Sequence, residues 1–352
     1  TLNRATDTTR QPGSTFKIVS TYAPALNEIA DTLATTFEDE PYEYPDGSPV
    51  NNANRSYGGT TTIRRAIQNS INVVAVKCLE QVTPELGLKY LDNFGFTTLA
   101  HGTEADKDAN GNVWSDANLA LALGGLTNGV TNIELCAAYA AIANSGNYIE
   151  PLYYTKILDH NGNVLIEKTS AGRSVIKDST AYLLTSAMED VVTQGTGTAC
   201  QLDNMAVAGK TGTTEDYNDL WFVGYTPYYT CAVWSGYDNN EKIPEDARNF
   251  HKNLWRKVMT RIHEGLEYKD FEVPSSVEKT SVCEETGLLP RPGCPVITEY
   301  FDIGTLPTEQ CDQHMYGYDD YDYDEDYYSY DEDDESDTSS TDGNQADGQN
   351  GN

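Results

Sequence analysis

The chain has 352 residues, of which 38% are apolar and 22% charged, and its formal net charge is −32 at neutral pH. That apolar content can furnish a core for one large domain or two ordinary ones, which excludes a chain disordered throughout. The last 38 residues hold 14 Asp and Glu and no Lys or Arg, yet −18 remains on the rest, so the charge argues against a nucleic-acid partner.

No stretch reaches the roughly 18 consecutive apolar residues of a membrane-spanning helix. The sequence opens on Thr1 with no Met, basic n-region or apolar h-region. It reads as a piece of a longer polypeptide, with any export signal or anchor upstream. Near its start, QPGSTFK (11–17) places a Pro-Gly turn before STFKIVSTYAPAL, a run with few breakers, and predicts a helix whose first residues include Ser14. Three residues apart, Ser14 and Lys17 would share a face, and the Ser14 N–H would be an unpaired donor of the first turn. The set offers a weak nucleophile, a base beside it and a donor for developing negative charge. Alone, an S-x-x-K tetrad is more simply a helix start followed by a solvated lysine.

Residues 1 to about 150 read mostly as helices and loops. RRAIQNSINVVAVKCLEQV and NIELCAAYAAIANS carry apolar residues at helical spacing, the second with Thr131 as its cap and a core role. Ser70-Ile71-Asn72 interrupts the first of these and by itself reads as a helix cap or loop. From 151, LYYTKILD and NVLIEK flank His160-Asn161-Gly162, a hairpin signal. A helix at about 178–193 leads to QGTGTA (194–199), which reads as a flexible loop rather than a dinucleotide fingerprint. AVAGKTGTT, DLWFVGYTP and YTCAVWSGY then predict three strands, antiparallel because their connections are short. GKT within the first is not a P-loop, since Asn204 occupies the position of the first glycine. Trp221 belongs to the core or to a site wall. The final segment, 315–352, mixes seven tyrosines after Met315 with blocks of acidic charge and is expected to stay unfolded.

Taken together, S-x-x-K at 14, S-x-N at 70 and K-T-G-T at 210 follow the order of the signature set of penicillin-binding proteins and class A β-lactamases. The chain resembles the class A (bifunctional) penicillin-binding proteins in their transpeptidase domain. NRATDTTRQPGSTFK, LALGGLTNGVTNIELCAAYAAIANSGNYIEP, TQGTGTA, AGKTGTT and DLWFVGYTP all look like blocks of that family. The likeness covers roughly residues 1–240 and thins afterwards.

The resemblance implies an α+β fold: an antiparallel sheet flanked by helices, with a mostly helical subdomain, of the penicillin-binding transpeptidase and serine β-lactamase type. It implies a D,D-transpeptidase of cell-wall synthesis acting on peptidoglycan stem peptides and acylated by β-lactams. Ser14 would attack the penultimate D-Ala carbonyl. Lys17, its charge disfavoured by burial and by Lys210, would take the Ser14 proton. Ser70 would relay a proton to the departing amine, and Asn72 would orient Lys17 and the substrate backbone. Lys210, Thr211, Gly212 and Thr213 would form the substrate strand, meeting the terminal carboxylate, with the N–H groups of Ser14 and Thr213 as oxyanion hole. No cofactor is implied and no metal is assigned to the site. A D,D-carboxypeptidase or serine β-lactamase shares the motifs, and a non-catalytic penicillin sensor would need only the acylation step. His101, His160, His251 and His263 lie in no G-x-S-x-G context, so a Ser-His-Asp hydrolase lacks support.

The expected layout is a transpeptidase domain at 1–272, a cysteine-containing extension at 273–314 and the acidic tail at 315–352. The expected location is the extracytoplasmic face of the bacterial membrane, with membrane contact only through an upstream anchor. In the family, strands completing the central sheet precede the Asn-Arg-Ala segment, so this piece alone is expected to be poorly folded or weakly active. Cys78, Cys136 and Cys231 lie in apolar runs and read as small core hydrophobes, while Cys200 stands singly. Cys283, Cys294 and Cys311 cluster with His314. A Cys283–Cys294 disulfide is the first expectation outside the cytoplasm, and a Cys₃His zinc site has suitable ligand types but wide spacing.

Overall fold

The computed structural model describes residues 2–314, and the acidic tail expected to be unfolded lies outside them. The first helical segment is wound in three ways: a 3₁₀ turn at Gly13–Thr15, a π-helical stretch at Lys17–Tyr22, then α1, Ala23–Glu28. The single helix predicted here is modified by Pro24. In an α-helix its ring would press on the Ser20 carbonyl and it has no N–H to offer that oxygen. The chain widens just before it, and Ala23 N–H bonds Ile18 O, five residues back.

Strands β1 (Thr36–Asp39) and β2 (Gly59–Thr62) pair antiparallel and deliver the chain to α2, Ile63–Asn69, capped by Thr62 Oγ1 accepting from Arg65 N–H. Ser70 ends α2 in the left-handed region at φ 57°. One residue later α3 begins, Asn72–Val82, followed by α4, Pro84–Asn93. Helix α5, Asn132–Ala143, starts at the Thr131 cap expected from the sequence, with Glu134 closing a reciprocal capping box. Strands β3 (Lys156–Leu158) and β4 (Val164–Glu167) form the predicted hairpin, and α6 spans Asp178–Thr193.

The three predicted strands are β5 (Ala208–Thr213), β6 (Asp219–Tyr225) and β7 (Thr230–Gly236), antiparallel in that spatial order. Every residue of the central β6 is buried, as its near-continuous apolar run requires. Helix α6 packs against β5, and α5 and α7 (Phe250–Ile262) pack against β7 and β6. Trp255 of α7 meets Phe222 edge to face at 4.9 Å, and its indole N–H donates to Cys231 O at 2.9 Å. Cys78 is fully buried and Cys231 packs on the apolar cluster around Trp255, in line with a hydrophobic role.

The main core is built around the π-helical segment and α3: Ile18, Val19, Tyr22, Val73, Val74 and Leu79 are all 0% exposed. Each of the aliphatic side chains among them contributes about 1.5–3 kcal/mol of burial. A last pair, β8 (Val277–Cys283) and β9 (Val296–Asp302), sits with β9 against α6. Arg64 of α2 holds it with a two-pronged bond to Glu299, Nε to Oε2 at 2.5 Å and Nη2 to Oε1 at 2.6 Å, and its Nη1 reaches Asp190 at 2.7 Å. The Cys283–Cys294 disulfide expected from the sequence is not formed: all seven cysteines are free thiols. Among the described residues, no helix is long and apolar enough to cross a membrane.

Candidate active site

Three distant segments meet beside β5. Lys17, fully buried, donates from Nζ to Ser70 O at 2.7 Å, Asn72 Oδ1 at 2.6 Å and Ser70 Oγ at 3.3 Å. Lys210, also fully buried, donates to the same Ser70 Oγ at 2.8 Å and to Thr211 O at 3.3 Å. The Ser70 hydroxyl therefore bridges two amines. The left-handed turn at Ser70 makes this possible, because it ends one helix and starts the next while exposing the carbonyl and hydroxyl of one residue to Lys17.

Among the described residues, neither amine forms an ion pair with a carboxylate. Burial, and then the charge of Lys210, pushes the Lys17 amine well below the ordinary lysine value. Burial alone brings Lys210 down to about 7. Two cations so close and so dry favour sharing one proton between them. A neutral amine has a lone pair and can take a proton from a hydroxyl, which an ammonium cannot.

Ser14 sits half-exposed in the 3₁₀ turn, and its hydroxyl makes no side-chain hydrogen bond among the described residues. Its turn presses on β5 through its backbone and the Thr15 methyl group. A Cβ on Gly13, which has φ +56°, would fall 2.9 Å from Thr213 O, and one on Gly212 would fall 2.5 Å from Pro12 O. Glycine at 13 and 212 is what lets the two chains approach. Gln11 fixes the same loop from the other side, its amide exchanging bonds with Leu126 N–H and C=O while its carbonyl accepts from Trp221 Nε1 at 2.9 Å. Trp221 is 1% exposed, so of the two roles expected it takes the core one.

Thr214 N–H bonds Asp219 O at 3.1 Å, which sets the phase of the β5–β6 ladder. Lys210 and Gly212 thus exchange bonds with β6, and the N–H groups of Thr211 and Thr213 face the outer edge, which no strand pairs among the described residues. Thr213 is exposed at the end of that edge and Thr211 is half-buried behind it.

The site holds residues that the sequence reading missed. Thr196 Oγ1 lies 2.7 Å from Thr211 Oγ1. Its loop, expected to be flexible, is closely packed, since a Cβ on Gly195 would lie 2.3 Å from Gln68 O. Asn72 Nδ2 donates to Asn51 O at 2.7 Å, which turns Oδ1 toward Lys17. Asn52, 6% exposed, accepts from Asn72 N–H at 2.9 Å and Val73 N–H at 3.2 Å, capping α3 from 20 residues upstream, and donates to Asp39 Oδ1 at 2.7 Å. Tyr139 supports the Ser14 turn by donating to Thr15 O at 2.7 Å. Of these, Thr196 and Tyr139 lie in blocks quoted for the family, while Asn51 and Asn52 lie in none.

The penicillin binding protein transpeptidase domain family matches residues 1–260, and the penicillin-binding protein 1A C-terminal domain matches residues 273–316. Penicillin-binding protein 1A of Clostridium botulinum is 34% identical over 322 residues, which is 87% of this chain and 38% of the relative. The chain thus spans well under half the length of that curated relative. Among solved structures, penicillin-binding protein 1A from Haemophilus influenzae superposes with a TM-score of 0.73 at 23% identity, covering 88% of this chain and 50% of that one. PonA1 from Mycobacterium tuberculosis in complex with penicillin V gives a TM-score of 0.67 at 23% identity, covering 83% of this chain and 77% of that one. Both share its mixed helical and antiparallel-sheet fold. The chain belongs to the penicillin-binding protein transpeptidase family, on the class A branch that penicillin-binding protein 1A represents.

Proposed function

We propose that the chain carries the D,D-transpeptidase activity of a peptidoglycan-building protein, working through an acyl ester on Ser14. The observation that carries this reading is the Ser70 hydroxyl hydrogen-bonded to both buried amines, Lys17 and Lys210. Neutral Lys17 takes the Ser14 proton as Ser14 Oγ attacks the carbonyl of the penultimate D-Ala. The negative oxygen formed is held by the N–H groups of Ser14 and Thr213. The C–N bond then breaks, and the departing D-Ala amine takes a proton from Ser70, which is refilled from Lys17. The acyl ester remains on Ser14. An amine from a neighbouring stem peptide attacks it, gives up its proton along the same chain in reverse, and leaves a new amide and free Ser14.

Lys210, Thr211 and Thr213 hold the substrate's terminal carboxylate, and the outer edge of β5 pairs with its extended backbone. β-Lactams acylate the same serine. Residues 1–272 form the transpeptidase module and 273–314 an extension, and the protein works at the extracytoplasmic face of the membrane. Incubation with a D-Ala-ended thioester and a D-amino-acid acceptor tests the reading. Exchange product that disappears in Ser14→Ala supports it. Acyl transfer that persists in Ser14→Ala refutes it, and transfer to water alone makes the enzyme a hydrolase.

A further inference from the structure

Away from the proposed active site, Cys283, Cys294, Cys311 and His314 bring their ligand atoms together, all within 4.8 Å of one another. His314 Nδ1 lies 3.5 Å from Cys283 Sγ and 3.2 Å from Cys311 Sγ. A tetrahedral zinc with ordinary bond lengths would separate its ligands by about 3.6 Å for S to N and about 3.8 Å for S to S. From this geometry we propose a closed, structural Cys₃His zinc site in the extension, independent of the function proposed above.

The backbone is arranged for it. Cys283 ends β8 at a turn closed by Gly287 N–H to Cys283 O and Cys283 N–H to Leu288 O, both 2.8 Å. Cys294 closes a second turn, in which Arg291 N–H donates to its sulfur at 3.2 Å. A bridge between Leu289 and Gln310 runs parallel and carries Cys311 to the first turn, with Cys311 N–H bonded to Leu289 O at 2.8 Å. The outer nitrogen of the imidazole is also engaged, His314 Nε2 meeting Glu285 Oε2 at 3.1 Å. A carboxylate behind a histidine whose other nitrogen faces thiols is the usual outer partner of a zinc ligand.

Three thiols and one imidazole select zinc over oxygen-preferring cations, and four protein ligands leave no open position for chemistry. The extension has reason to need a staple. Apart from Val277, which joins the main core, its own buried apolar cluster among the described residues is Val282 and Phe301 set against Ala34, with Ile297 and Leu306 beside them, and a segment of about 40 residues rarely holds on so small a core alone. A disulfide would join two of the sulfurs and strand the third beside the imidazole.

The test uses the full chain, purified under reductant without chelator. Expected are one zinc per chain by elemental analysis, cobalt substitution giving tetrahedral, thiolate-bound visible spectra, and a lower unfolding temperature after chelation. Cys311→Ser should abolish binding. Glu285→Gln, which leaves all four ligands, should weaken zinc affinity about 10- to 100-fold while the chain stays folded. Three freely reactive thiols in a folded chain that takes up no zinc would overturn the site. So would a disulfide within the cluster under these conditions, or zinc held equally by wild type and Cys311→Ser.

Discussion

Asn52→Ala tests how the proposed catalytic lysine is aimed. The side chain of Asn52 makes four hydrogen bonds at 6% exposure: it receives the first two N–H groups of α3 and donates to Asp39 Oδ1 at 2.7 Å and Ser56 O at 2.9 Å. Loss of a helix cap costs about 1 kcal/mol, and loss of a hydrogen bond to a carboxylate about 1.5–3 kcal/mol. Asp39, 4% exposed, keeps only Gly58 N–H at 2.8 Å and the ladder of its strand. Because these bonds form one network the costs do not simply add, and a net loss of about 3 kcal/mol is expected. For a chain of 352 residues that lowers the unfolding midpoint by about 4–5 °C. Asn72 Oδ1 holds Lys17 at 2.6 Å, so loosening the start of α3 should also slow acylation by a fluorescent penicillin about tenfold, roughly 1.4 kcal/mol in the barrier. Asn52→Asp separates the two roles. It retains the cap but sets a second carboxylate against Asp39, raising the pKa of the pair. A raised carboxylate pKa contributes stability that is present at low pH and lost as pH rises through the raised value. Asn52→Asp should therefore approach wild-type stability near pH 4 and fall below it at pH 8. An Asn52→Ala chain that melts and acylates like wild type would refute the reasoning.

The second-order rate of acylation should be bell-shaped in pH. In the proposed mechanism Lys17 acts unprotonated, so the rate should rise as its depressed pKa is passed, and Lys210 acts protonated, so the rate should fall through about 7. A monotonic rise to pH 10 would contradict this. Lys17→Met should lower the acylation rate about 10²- to 10⁴-fold with little loss of stability, since it removes a buried polar group along with its function. Arg64→Ala would leave Glu299 buried at 2% exposure without its partner and should cost about 3–5 kcal/mol, read as early release of the C-terminal strands in hydrogen exchange.

Much of this site was legible because its chemistry lies in short local patterns. Ser14 and Lys17, Ser70 and Asn72, and Lys210 to Thr213 each form a compact motif, and α6 and β5–β7 carry periodicities that survive in the fold. What was not legible depends on contacts between distant residues or on backbone detail. Asn52 caps a helix 20 residues away, so no capping pattern could reveal it. The π-helical winding at Lys17–Tyr22 reflects one proline acting upstream. QGTGTA looks mobile from its glycines, but those glycines are there because Gln68 and Val191 crowd them. The cysteine cluster was masked by spacing: ten, sixteen and two residues separate the four ligands, and only the β8–β9 pair and the Leu289–Gln310 bridge bring them together.

The most direct measurement is the location of the acyl group. The full chain is treated with benzylpenicillin, digested and mapped by mass spectrometry, in parallel with Ser14→Ala. One adduct per chain, on the peptide bearing Ser14 and absent from the variant, is the predicted result. An adduct elsewhere, or labelling that survives in Ser14→Ala, would contradict the account.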